Sequence, residues 1–338
     1  MDAASAQQLF DAYRKGLLNR EGARREDYHP RFQVLLRQLL SNQVPLAHRL
    51  PVRKVWLASA QGLRLAREGH LEAAAACLDS VTETLAQTSS FSVGRLMATS
   101  VLESAHAYLD FCGARFDQAR EGLRRAMDAD LALEHDETFG LLELHRIQSA
   151  QNLMRLEFRV GRPEVACALG GKILGYLEDL TSGLPVHHSW QRQALSRAPR
   201  TVRRAMVTQI GNEMSLGLAR NRGLAAWSHF SSELKSHPGY AKEGTAIHLR
   251  VQQWVHLKDA FEQRDWPRYL VLLAAFLPGG RKDVQSVWYS SVIDFLYFCR
   301  AVDSAAFRQV RSGILRDASK WPAVPPSVRS CLPVNEGE

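Results

Sequence analysis

Glu103-Ser-Ala-His106 and Glu26-Asp-Tyr-His29 each set a carboxylate and an imidazole three residues apart. Helix bundles that bridge metal pairs with carboxylates use this spacing. With 12 histidines in the chain, two such pairs arise close to chance, and a working site would need further carboxylates from neighbouring helices. Pro30 follows His29 directly, which suits a helix start better than the inside of a ligand helix. An α-helical metal-dependent enzyme built on Glu103 and His106 is therefore an alternative reading. The sequence has no HExxH pair, zinc-type cysteine cluster, phosphate-binding glycine loop or nucleophile elbow. The leading expectation is a protein without catalytic residues, metal or cofactor.

Binding chemistry is better represented. Leu180–Asn212 contains no Asp or Glu, yet it holds Arg192, Arg197, Arg200, Arg203 and Arg204 beside His187, His188 and Trp190. Arginine forks match carboxylates and phosphates, and Arg200, Arg203 and Arg204 stand at helical spacing. A dock for an acidic peptide is one implication, and nucleic-acid binding through residues 192–204 is a second alternative. Ala126–Glu143 is the opposite case, with Asp128, Asp130, Glu134, Asp136, Glu137 and Glu143 and no Lys or Arg. Pairing of the two stretches, within one chain or across a homodimer, is a further expectation.

Polar stripes at spacings of three and four form a third constellation. Gln148, Gln151, Asn152, Arg155 and Arg159 share one helix face, as do Arg204, Thr208, Asn212 and Ser215, and Trp254 with Lys258 extends the series. Side by side, such stripes would line a groove that holds an extended or helical peptide.

The elements that must position these residues are helices. Apolar residues recur at three- and four-residue spacing along almost the whole chain, and period-two alternation bounded by turns is missing. Very short turns join the helices in pairs. GHLEAAAACL (Gly69–Leu78), GARFDQAREGL (Gly113–Leu123), VGRPEVACAL (Val160–Leu169) and QRDWPRYLVLL (Gln263–Leu273) each end one helix and start another. Ala74, Ala119, Ala166 and Tyr269 fall at equivalent places, and ARNRGLAAWSHF adds a weaker fifth junction with Ala226. The equivalent positions recur about 45 residues apart, with one gap nearer 60. The surplus sits in Thr181–Pro199, read as an insertion from one face of the array.

These junctions resemble the tetratricopeptide (TPR) family of helical-hairpin repeats. Gly62, Gly69, Ala74, Leu78 and Val81 stand where that family places its small and large packing residues, followed by Ala107, Phe116, Ala119, Leu123 and Ala126, then by Gly161 and Ala166. The family repeats every 34 residues or so, so the longer spacing implies longer helices. The resemblance covers roughly residues 51–280 and implies an all-α, TPR-like α-solenoid of antiparallel helical hairpins with a concave groove. The expected division is an N-terminal helical cap over 1–50, a repeat domain over 51–319 with the insertion at 181–199, and a flexible C-terminal tail over 320–338.

Composition fits a globular protein, with 46% hydrophobic and 23% charged residues. The net charge of +8 favours anionic partners. Five cysteines, scattered singly, point to a reducing cytoplasm rather than a disulfide framework. The longest apolar run, Leu270–Leu277, is far below the ~20 residues of a membrane span. The sequence therefore suggests a cytoplasmic, non-catalytic scaffold, an adaptor, chaperone or regulator, that binds a protein or peptide partner of acidic character. Its candidate contact residues are Gln148, Gln151, Arg155, Arg159, Arg192, Arg197, Arg200, Arg203, Arg204, Asn212, Trp254 and Lys258.

Overall fold

The computed structural model describes residues 3–19, 28–86, 93–134, 137–179, 200–221, 224–235, 248–282, 284–321, 324 and 326–333. Among the described residues every regular element is helical. In chain order these are α1 (Ala3–Leu18), α2 (Tyr28–Gln43), α3 (Leu46–Arg67), α4 (Leu71–Ala86), α5 (Val93–Cys112), α6 (Phe116–Glu134), a 3-10 turn (Glu137–Leu142), α7 (Glu143–Arg159) and α8 (Pro163–Asp179). They are followed by α9 (Arg200–Arg220), α10 (Leu224–Lys235), α11 (Leu249–Glu262), α12 (Trp266–Phe276), a 3-10 turn (Leu277–Gly279), α13 (Gln285–Val302), α14 (Ala305–Ala318) and α15 (Pro326–Arg329). None of these helices is long and apolar enough to cross a membrane.

One turn geometry recurs at the four strong junctions. After α3, α5, α7 and α11 a single residue takes a positive φ: Gly69 (87°), Ala114 (58°), Gly161 (77°) and Arg264 (56°). The next N–H reaches back five residues in each case, from His70 to Leu65, Arg115 to Asp110, Arg162 to Glu157 and Asp265 to Ala260. This is the helix-ending motif that satisfies carbonyls left over by the last turn. In the second junction Ala114, not Gly113, takes the left-handed conformation. Five residues beyond each positive-φ residue, Ala74, Ala119, Ala166 and Tyr269 are each fully buried, so the equivalence read from sequence is one of geometry.

Contacts divide the chain into two compact units: 28–169 with 180–202, and 1–27 with 170–179 and 203–338. In the first, α3 packs on α4 and α5, α5 on α6, and α6 on α7. Small residues set the approach. A Cβ built on Gly62 would lie 2.8 Å from Leu78 Cδ2, and one on Gly122 would lie 3.2 Å from the Ala107 methyl. Two antiparallel helices come this close only where a side chain is small at the crossing. α3 begins at Leu46 and takes in Pro51, so it precedes the expected start by more than a turn.

The other unit holds an aromatic core, in which Trp227, Phe230 and Trp254 meet in one cluster and Trp266, Tyr269, Phe298 and Phe307 in a second. α1 belongs here rather than at the head of the α3–α7 hairpins. Gly16 lies against the Leu277 carbonyl, and Tyr13 Oη accepts a hydrogen bond from Trp321 Nε1 at 2.8 Å. The expected division at residues 50 and 319 is not the one the contacts make. The tail is also shorter than expected, because Trp321, Val328 and Cys331 are buried and α15 lies against α13. The expected insertion at 181–199 lies outside the described residues.

Candidate functional site

Within the unit containing α3–α7, three helices surround a shallow apolar depression. Its floor is Ala107, Ala119, Leu123 and Leu156; Ser104, Tyr108 and Phe111 of α5 form one side, and Asn152 and Arg155 of α7 the other. The small residues that allow the hairpins to approach also make the hollow, because alanine leaves the room that a larger side chain would fill. The space is about 360 Å³ with its open mouth included. The Tyr108 and Phe111 rings stack with centroids 6.4 Å apart, and the Arg67 guanidinium lies 5.7 Å from the Tyr108 centroid. Arg155 Nη1 donates to Asn152 Oδ1 at 3.0 Å, which holds the guanidinium at the rim.

Beneath one wall lies a buried polar network. His145 Nδ1 donates to Asp130 Oδ2 at 2.7 Å, and Ser100 Oγ donates to Asp130 Oδ1 at 2.5 Å. Ser104 Oγ, which also lines the depression, lies 3.5 Å from His145 Nε2, the outer limit of a hydrogen bond. Burial works against the imidazolium, but the Asp130 carboxylate outweighs it and raises the His145 pKa. Next to it, Arg146 clasps Glu134 with two nitrogens, Nε to Oε1 at 2.7 Å and Nη2 to Oε2. Burial pushes the Glu134 carboxyl up to about 7, with Arg146 opposing the shift.

Asp130, His145 and Ser104 follow the carboxylate–imidazole–hydroxyl order of an acyl-transfer triad. Ser104 lies in mid-α5, however, where the surrounding backbone N–H groups belong to the helix, and an oxyanion needs N–H donors turned toward it. The network joins α5, α6 and α7 and fixes the wall of the depression.

The structure separates the sequence-selected residues into several groups. Gln148 is half-buried, Arg155 stands at the depression and Arg159 is exposed. Gln151 is instead only 2% exposed, and its Nε2 has no hydrogen-bond partner among the described residues. Arg192 and Arg197 lie outside the described residues. Arg200 and Arg204 are exposed. Arg203 turns inward, donating from Nη2 to the Leu177 carbonyl at 2.6 Å, so it serves the C-terminal end of α8.

Three candidates are corrected outright. Asn212 Oδ1 accepts from the backbone N–H groups of Ser286 (2.9 Å) and Val287 (3.2 Å) and so caps α13. Trp254 is among the largest fully buried side chains. Lys258 is buried with Asp294 and Glu262 around its Nζ. The stripe on α9 fails for the same reason, since Thr208 and Ser215 are buried and bond to their own helix carbonyls. Helical spacing alone did not separate a solvent face from a core-facing one.

Within the acidic run Asp130 pairs with His145 and Glu134 with Arg146, while most of the basic stretch lies outside the described residues. Glu103 is held by Arg125 at 2.8 Å, and His106 Nε2 faces Thr82 Oγ1 at 3.4 Å. Among the described residues no three His, Cys, Asp or Glu side chains are grouped to hold a metal. Sequence reading passed over Tyr108 and Phe111, because half-exposed aromatics on a helix share the periodicity of core residues. Compared with models of known families, with curated proteins and with solved structures, the chain has no match.

Proposed function

We propose that this protein is a non-catalytic peptide-binding module, an adaptor or regulator of the cytoplasm, in which the α3–α7 hairpins act as a TPR-like array. The observation that carries this reading is the depression between α5, α6 and α7, an apolar hollow with an arginine and an asparagine at its edge. Such a hollow takes a bulky apolar side chain, while Arg155 offers charge-assisted hydrogen bonds to a carboxylate next to it in the peptide. The recurrent turns support the array, since one turn geometry closes four helix pairs, three of them between α3 and α8. The net charge of +8 supports an acidic ligand.

The test is selection of peptides from a displayed random library on the full chain, repeated with Tyr108→Ala and Arg155→Glu. The expected consensus is a large apolar residue adjacent to Asp or Glu, with enrichment lost in both variants. A consensus retained by both, or no enrichment on the wild type, rejects the reading.

A further inference from the structure

α3 has two opposite faces, each written in a helical repeat. Val52, Val55, Ser59, Gly62 and Ala66 are buried and form the side that packs on α4 and α5. On the other side Leu46, Leu50, Arg53, Leu57, Ala60 and Arg64 are all exposed, the three leucines at 79%, 64% and 62%. Their spacing of four, three, four, three and four is that of alternating d and a positions of a coiled-coil seam. Three exposed leucines on one stripe over the first half of the helix mark an interaction surface rather than scattered surface residues.

Its charge is one-sided. Residues 46–67 include no Asp or Glu; Arg64 at the far end of the seam is paired with Glu68 at 2.8 Å, whereas among the described residues no ion pair neutralises Arg53 or Lys54. We infer that the exposed seam of α3 docks an acidic amphipathic helix of a partner protein, with leucines packing against Leu46, Leu50 and Leu57 and a carboxylate meeting Arg53. This surface is separate from the depression between α5 and α7 and does not rest on it.

Two other occupants fit less well. A lipid surface that took up Leu50 and Leu57 would carry Arg53, which lies between them on the same stripe, toward the acyl chains, where a guanidinium is costly. A facing helix can place a carboxylate at that position. In a second copy of this chain, an antiparallel pair sets Leu50 against the other Arg53 and a parallel pair sets Arg53 against Arg53. Neither register supplies an acid, and unpaired like charges in a seam oppose association.

The probes are two synthetic three-heptad peptides with leucine at a and d and glutamate at e and g. In each, one core leucine is replaced by glutamate so as to face Arg53, in the parallel register for one peptide and the antiparallel for the other. Binding to the full chain is read by fluorescence anisotropy. One peptide is expected to bind, with affinity falling at least about tenfold in Leu57→Ala and in Arg53→Glu, a loss typical of a seam contact. Replacing the core glutamate of that peptide by lysine is expected to restore binding to Arg53→Glu. Both substitutions lie on an exposed face, and unchanged circular dichroism establishes that the variants are folded. The inference is overturned if neither peptide binds at about 100 µM, if binding survives Leu57→Ala, or if the charge exchange fails to restore it. It is equally overturned if the leucines instead govern binding to phosphatidylglycerol vesicles, or self-association in sedimentation equilibrium.

Discussion

Asn212 Oδ1 accepts the Ser286 N–H at 2.9 Å, so a side chain in mid-α9 caps a helix far along the sequence. Val284, the residue before α13, offers no capping side chain of its own, and the same oxygen also takes the Val287 N–H. Loss of a cap costs about 1–2 kcal/mol. Asn212→Ala is expected to destabilise the protein by that amount in urea denaturation. Asn212→Asp is expected to hold or exceed wild-type stability, because a carboxylate both accepts these bonds and favours the positive end of the helix. A loss equal to that of alanine would show that the oxygen is not the cap.

The repeated turns give a second prediction with two signs. Ala114 and Arg264 take positive φ with a Cβ attached, at a steric cost of roughly 1–2 kcal/mol relative to the ordinary helical region. Ala114→Gly is expected to stabilise by about 1 kcal/mol, the strain relieved less the added freedom of glycine in the unfolded chain. Gly161→Ala is expected to cost about 1 kcal/mol, and only through the backbone, since no atom lies within 4 Å of the added methyl. Chemical denaturation of the two variants checks both. Equal and same-signed changes would contradict the shared geometry.

The helical architecture was legible because amphipathic periodicity is a local property, and because four turns with one hydrogen-bond pattern leave one residue pattern behind. Ala74, Ala119 and Ala166 mark equivalent places because each is the small, buried residue needed at a helix crossing. The allocation of helices to units was not legible. α1 joins helices near the other end of the chain through Tyr13 and Trp321, and no local pattern encodes such a contact. The candidate site was half legible. Arg155 was selected for its stripe, but the same spacing selected Asn212 and Lys258, whose polar groups are satisfied inside the protein. A polar residue buried with its partner has the same periodicity as one facing water, and only the partner's position distinguishes them.

Stability should fall as pH rises from about 5 to 8, and the two groups responsible act in the same direction. Burial raises the Glu134 carboxyl from its ordinary 4.5 to about 7, so the folded protein holds that proton more firmly than the unfolded chain. The corresponding stability is present below 4.5 and lost as pH climbs to about 7. His145 is raised above its ordinary 6.5 because Asp130 outweighs the burial penalty. Its contribution is complete below 6.5 and is lost at higher pH. Urea midpoints measured across this range are expected to decline, and His145→Gln should flatten the portion above 6.5. Midpoints that rise with pH would refute the assignment.

Lys258 provides a prediction that separates a role in binding from one in folding. Its Nζ lies 3.1 and 3.0 Å from the two Asp294 oxygens and 2.7 Å from Glu262 Oε1, with its side chain only 3% exposed. Removing one member of a buried ion pair leaves the others uncompensated, at a cost of about 3–5 kcal/mol. Lys258→Met therefore strands two carboxylates and is expected to destabilise by that amount. Pairing it with Asp294→Leu removes one stranded charge and is expected to recover part of the loss, leaving the less buried Glu262 to water. The cycle is read from urea denaturation of wild type, both single variants and the double variant. Additive losses would mean that the two residues do not form the pair. If Lys258 instead lined a groove open to a peptide, Lys258→Met would leave stability near wild type and change binding alone.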